Sequence, residues 1–239
     1  MTETEYWKDY ELTRAEVNTA IECFYTYIEI HNYAAEDKSI FRSLNEDATF
    51  WNIQLYSLQA SFFIALGRIF DNGPDTHSIH KLLAATVAHP EYFSKDSLAI
   101  RKSDGKQRPA WLDDYLVDVF EPQASDLRAF KKALSPHRAK FKSVYGDIRD
   151  YVFAHKILKD KDKVSELFGK TQIKDIDEML YFFYDLIETL FQLFHNGRKP
   201  ELGVGKYDYR ERIKNTTRSA MLKLSKRPEE SACEKSKLG

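Results

Sequence analysis

The sequence predicts an all-α protein, and three observations carry that expectation. Glycine and proline number only 9 and 7 in 239 residues, about half their ordinary usage of roughly 7% and 5%, which disfavours turn-rich β architectures. Apolar residues recur at steps of three and four over several long stretches, the spacing of helices with one buried face. Hydrophobic residues make up 43% of the chain, enough at this length to bury a sizeable core in one domain with a tail.

From Leu12 to Ala35 the apolar set is Val17, Ile21, Phe24 and Ile28, followed by His31 on the same stripe. Thr13 with Glu16 three residues on reads as a capping box. A second long helix is expected from about Glu46 to Asp71, with Trp51, Leu55, Leu58, Phe62, Ala65 and Ile69 on one face and Asn72-Gly73-Pro74 as its stop. A shorter helix spans Ser78 to Ala88, and the polar stretch Lys95 to Pro109 reads as a loop. Trp111 to Phe120 looks helical, and Ser125 is the expected cap of a segment from Asp126 to Leu134. Ser135-Pro136 then opens a new helix reaching His155, disturbed at Gly146, since glycine inside a helix costs about 1 kcal/mol relative to alanine. The last long helix, Ile173 to His195, carries an apolar stripe wide enough for the middle of a bundle, and Asn196-Gly197 closes it. Tyr207 to Lys226 reads as an exposed basic helix. Beyond it, Arg227 to Gly239 lacks aromatics and periodicity and reads as disordered.

The balance of 36 basic against 37 acidic residues excludes the whole-molecule attraction of a strongly basic duplex binder, so a nucleic-acid site must be a local patch. Cys23 and Cys233 form neither a CxxC pair nor a disulfide framework. The acidic N-terminus lacks the features of a secretory signal, and the most apolar stretch is interrupted by Asp177, Glu178, Asp185 and Glu188. These features predict a cytoplasmic protein with no membrane partner.

Several motifs carry little chemistry. Gly169-Lys170-Thr171 mimics the end of a phosphate-binding loop, but Val164 stands where the first glycine belongs. Asp75, His77 and His80 could share a metal, and a turn followed by a helix start explains them equally well. No HExxH, Glu-x-x-His or His-Asp occurs, so no metal or other cofactor is expected. His195 fits a helix C-terminal cation and His31 a stripe histidine bonded to a neighbour.

The remaining constellation is Arg149-Asp150-Tyr151-Val152-Phe153-Ala154-His155. An arginine followed by a polar residue and, after five intervening positions, a histidine resembles the signature of the HEPN superfamily. The Ala154-His155 ending, the preceding Ile148, and the phrase Ala65-Leu66-Gly67-Arg68-Ile69-Phe70-Asp71 are similar to the abortive-infection U-type branch. The likeness runs from Leu12 to His195. Tyr151 and Lys156 depart from it, standing where that branch often carries a basic and a small or acidic residue.

The resemblance implies a HEPN-like helical bundle over residues 1–200, with additional short helices, and a basic C-terminal arm over 201–239. It implies a metal-independent RNA endonuclease of toxin-antitoxin or phage-defence type, in which the ribose 2′-OH attacks the adjacent phosphate. His155 would act as general base or acid, Arg149 would bind the scissile phosphate, and Asp150 would orient one of them; Arg68 and Asp71 are second-rank candidates. Arginine's fork and a histidine that titrates near neutrality are the minimum equipment for that chemistry.

From Leu127 to Gly146 there is no acid, whereas Arg128, Lys131, Lys132, Arg138, Lys140 and Lys142 are all basic, a run able to track a phosphate backbone. Tyr207 and Tyr209 of the arm could stack on bases. Arg149 and His155 in a regular helix would be separated by roughly 9 Å of rise and 240° of rotation. A homodimer in which each motif completes its neighbour's site resolves that mismatch, and an antitoxin or defence-system partner is a further expectation. The alternative reading is a non-catalytic HEPN-like dimer that binds RNA or protein through its basic arm.

Overall fold

The computed structural model describes residues 1–73, 76–103, 107–154, 161–204 and 208–225. Thr2 opens the first helix, α1 (Glu3–Glu36): its hydroxyl accepts from the Glu5 N–H at 3.2 Å, and the Glu5 carboxylate accepts from the Thr2 N–H at 2.7 Å. This reciprocal capping box lies eleven residues before the one expected at Thr13. The Thr13 hydroxyl instead donates to the Asp9 carbonyl at 2.8 Å from inside the helix, where Thr13 is buried. The apolar stripe therefore begins earlier, at Tyr6 and Tyr10, and continues through Val17, Ile21 and Phe24.

The chain divides into two compact units. One comprises Met1–Asn18 and Phe63–Gly205, the other Thr19–Phe62 and Lys206–Gly239, so α1 and α3 (Ala48–Ile69) each contribute to both. The first unit is organised by α9 (Ile173–Asn196), whose residues Ile176, Leu180, Phe183, Leu186, Leu190, Leu193 and Phe194 are all buried. The Tyr10 hydroxyl donates to the Ile187 carbonyl at 3.1 Å, and Trp7 stacks on Phe194 with centroids 5.0 Å apart. Gly197 ends α9 in the left-handed region at φ 57°, and the Arg198 N–H bonds back to the Gln192 carbonyl at 3.2 Å, a Schellman closure. A Cβ at Gly197 would lie 2.5 Å from Val119, so glycine is required there twice over.

Around α9 lie α4 (Ile79–Ala88), a 3₁₀ turn (Pro90–Phe93), α5 (Lys95–Ser103), α6 (Leu112–Val117), α7 (Ala124–Lys140) and α8 (Lys161–Gly169). The stretch expected as a loop after Lys95 is thus largely helix α5, and Arg101 explains why. Its guanidinium bonds the Phe194 carbonyl and Glu3, each at 2.7 Å, and covers the Phe194 ring at 3.9 Å. Likewise α7 does not restart at Ser135-Pro136. The helix passes through Pro136, held by buried Leu127, Phe130 and Leu134, and is capped at its start by Asp126 accepting from the Gln123 N–H at 2.8 Å, not by Ser125. Packing here outweighs the hydrogen bond that proline forfeits. Beyond Lys140 the same rod continues as two π-helical segments, Phe141–Tyr145 and Ile148–Ala154, on either side of Gly146. The expected disturbance takes this form.

In the second unit, α2 (Lys38–Glu46) occupies a stretch where the periodicity is too short to read. Its cap is Asp37, which accepts from the N–H groups of Ser39 at 2.8 Å and Ile40 at 3.4 Å. Ile40 packs with Ile30 and with Met221 of α10 (Tyr209–Ser225), alongside Leu44, Trp51, Leu55 and Leu58. The arm helix is therefore not exposed all round, since Tyr209, Ile213, Thr217 and Met221 are buried. Arg218 on α10 binds buried Glu29 through Nε and Glu36 through Nη2, the latter at 2.7 Å. Among the described residues there is no β-strand, and no helix is long and apolar enough to cross a membrane.

Candidate active site

The C-terminal half of α3 is the platform of the site. Phe63, Gly67 and Phe70 follow one another at helical spacing and meet the rod from Ala124 to Ala154 in antiparallel register. The Phe63 ring stacks on Phe153 at 5.2 Å, and Phe168 of α8 closes edge-on against both. One turn on, the Arg149 side chain lies across Gly67, so close that a Cβ there would sit 2.6 Å from Nε and 2.9 Å from Cγ. A further turn on, the Phe70 ring stacks on Phe141 at 4.6 Å. Glycine at 67 costs the helix about 1 kcal/mol in propensity, and the missing side chain is the space Arg149 fills.

Arg149 is half-buried and its Nη1 donates to Asp150 at 2.5 Å. Its Nε is buried and has no partner among the described residues. Asp150 thus fixes one edge of the guanidinium, and Ile148, fully buried, and Phe153 hold the segment from either side. π winding of this kind occurs mostly as single turns inside α-helices, frequently at functional sites. His155 lies outside the described residues, as do Lys156, Asp75, Tyr207 and Cys233.

The two second-rank candidates are occupied elsewhere. Arg68 is largely exposed and pairs with Glu16 at 3.1 Å. Asp71 accepts from the Gly73 N–H at 2.9 Å, shaping the turn after α3. Of the six basic residues, Arg128, Lys131, Arg138 and Lys142 follow at steps of three, seven and four, helical spacings that keep them along one side of the rod. Lys132 lies off that line, and Lys140 is neutralised by Asp175 at 2.5 Å.

The trio considered for a metal is divided: His77 Nδ1 meets Asp9 at 2.6 Å, while His80 faces a cavity lined with Lys131 and Arg138. Burial, reinforced by Arg138, Lys142 and Lys131, pushes the His80 imidazole down to about 4. Among the described residues no group of three histidine, cysteine or acidic side chains is placed to hold a metal.

A family model described as AbiU2, of the HEPN type, matches residues 8–214. The chain belongs to the HEPN AbiU2 family. No curated protein and no solved structure matches it. In this AbiU2 protein the Ala65–Asp71 phrase and the Arg149 segment, separate in the sequence, meet at Gly67. Sequence reasoning quoted Gly67 without seeing its role, although an unexplained glycine inside a helical pattern is itself a signal of close approach. His80 was noticed only as a metal candidate, and the cations that surround it lie some fifty residues away in the chain, beyond the reach of local pattern.

Proposed function

We propose that this AbiU2 protein is a metal-independent endoribonuclease of phage-defence or toxin type, acting on RNA in the cytoplasm. The observation that carries the reading is Arg149 laid on Gly67, with one edge held by Asp150 and Nε left without an acceptor among the described residues. A guanidinium so oriented offers donors in fixed geometry to phosphate oxygens.

In the proposed reaction the ribose 2′-oxygen forms a bond to the adjacent phosphorus as the bond from phosphorus to the 5′-oxygen breaks. His155 takes the 2′-OH proton or supplies one to the departing 5′-oxygen, a contribution of typically 10²- to 10⁴-fold. Arg149 stabilises the charge developing on the phosphate, and Asp150 positions Arg149. The products are a cyclic phosphate and a 5′-hydroxyl. A second copy of the chain would complete the site. Phe41, Phe50, Ile53 and Tyr56, all more than half exposed, offer apolar area for a dimer or for a neutralising partner.

The test is cleavage of single-stranded RNA in EDTA by the purified protein beside Arg149→Ala and His155→Ala. Cleavage by the wild type alone, leaving cyclic phosphate ends, is expected. Absence of cleavage on diverse RNAs, or equal cleavage by both variants, would remove the nuclease and leave a binding module.

A further inference from the structure

We propose that the cavity between α4 and α7 is a phosphate subsite, holding a further backbone phosphate of the RNA whose scissile phosphate is bound at Arg149. The inference rests on the RNA reading above and assigns to it a second anchoring point, with His80 as a binding residue.

The cavity has a volume of about 270 Å³ and is lined by His80 and Leu83 of α4 and by Lys131, Leu134, Ser135 and Arg138 of α7. Residues 131, 134, 135 and 138 stand at i, i+3, i+4 and i+7, so a single face of α7 closes it. Every polar group in the lining can donate: an ammonium, a guanidinium, a hydroxyl and an imidazole. No carboxylate is among them. The volume is several times the roughly 30 Å³ that a water occupies in the liquid, ample for a phosphoryl group.

Two nitrogens of these side chains, His80 Nε2 and Arg138 Nε, are buried and lack a partner among the described residues. Among the described residues, Arg138 Nη2 reaches Asn72 Oδ1 at 3.5 Å. Leaving a buried polar group unpaired is costly, and two such nitrogens on side chains that line one cation-rich cavity fit a site whose acceptors arrive with the ligand. Lys140 provides the contrast on the same helix, where a cation outside the cavity is matched by Asp175. The depressed His80 agrees, since burial and the positive field of Arg138, Lys142 and Lys131 keep the imidazole neutral, a polar contact that adds no charge to the site.

The location links the cavity to Arg149. The Phe70 ring lies 5.9 Å from the His80 ring, and Phe70 follows Gly67 by three residues, about 4.5 Å along α3. Along the rod the cavity residues Arg138 and Lys131 stand 11 and 18 positions before Arg149, roughly 16–27 Å at about 1.5 Å per residue, so a strand whose scissile phosphate lies at Arg149 meets this cavity a few nucleotides away, with Lys142 between the two.

The experiment measures binding of a single-stranded deoxyoligonucleotide, which lacks the attacking hydroxyl, and of inorganic phosphate to the full chain over a range of salt. It compares wild type, Lys131→Gln, Arg138→Gln, His80→Gln and a surface control, Lys174→Gln, with circular dichroism confirming that each folds. Each cation variant is expected to weaken oligonucleotide binding several-fold and to lower its log-log salt slope by about 0.7. His80→Gln should weaken binding without changing the slope, the control should match wild type, and phosphate should compete. Unchanged oligonucleotide binding in all three cavity variants overturns the subsite, even if Arg149→Ala and His155→Ala still abolish RNA cleavage. Loss of binding in those variants alongside a wild type that cuts no RNA supports the subsite and rejects the nuclease. Phosphate binding that the oligonucleotide does not displace assigns the cavity to a free phosphoryl ligand and overturns its place on the RNA path.

Discussion

Two long helical stretches of the first unit solve opposite problems. Helix α9 is regular over 24 residues, buried along one broad stripe and closed by a left-handed glycine. The rod from Ala124 to Ala154 contains a proline, switches twice to π winding, and carries along one side Arg128, Lys131, Arg138 and Lys142. α9 is held by what it packs against. The rod departs from regular winding in the segment that lays Arg149 on Gly67 and Phe153 on Phe63. The difference teaches that the broadest buried stripe and the candidate site lie on separate helices, and substitutions can test that separation.

The largest effect is expected at α9. Phe183→Ala, at a fully buried ring between Phe70 and His137, should cost about 3–5 kcal/mol. Calorimetry would show this as a fall in Tm of about 10 °C, with RNA cleavage per folded molecule retained. A selective loss of cleavage at unchanged Tm would place the site on α9 and break the separation.

Gly67→Ala makes the converse case. Alanine improves helix propensity by about 1 kcal/mol, but its Cβ would occupy the place of the Arg149 side chain. Cleavage should fall by about 10- to 100-fold, the penalty of a misplacement near 1 Å, while Tm holds or rises. Retained activity would show that Arg149 works from some other position.

The smallest effect sharpens the picture of the rod's cationic side. His80 sits well below its ordinary value of 6.5, at about 4, because of burial first and the cations Arg138, Lys142 and Lys131 next. Between those two values the unfolded chain binds the proton that the folded chain refuses. Stability is therefore complete above about pH 6.5 and is lost as pH falls toward 4. His137 and His195, also lowered by burial, add slope in the same direction. His80→Gln should flatten the decline in Tm over this window without abolishing it. An identical decline would mean that His80 is solvated and the cavity electrostatically ordinary.

Legibility in the sequence followed the same division. The stripe of α9 and its Asn196-Gly197 stop were readable to within a residue, because a wide buried face imposes its period on the chain and a left-handed cap needs glycine. Helices α2, α5 and α8 were not readable, being nine residues each, too short for a period to stand out. Their ends are set by local bonds such as the Asp37 cap and by distant ones such as Arg101 to Phe194. Pro136 and Thr13 misled for a common reason: each follows a strong local rule that burial on the same helix overrides. The Arg149 phrase and the Gly67 phrase were both visible. Their meeting was not, since it depends on antiparallel register between segments about eighty residues apart.

The pairing of Glu29 with Arg218 sets an order of events as the polypeptide is made. Glu29 is buried, and the arginine that binds it lies 189 residues further along. At a synthesis rate of about 5–20 residues per second, the carboxylate waits roughly 10–40 s for its counterion. Met221, which packs with Ile30 and Ile40, arrives three residues later still. The second unit is thus assembled from segments synthesised far apart in time, and the Glu29 pair and the Met221 contact form only after α10 has been made.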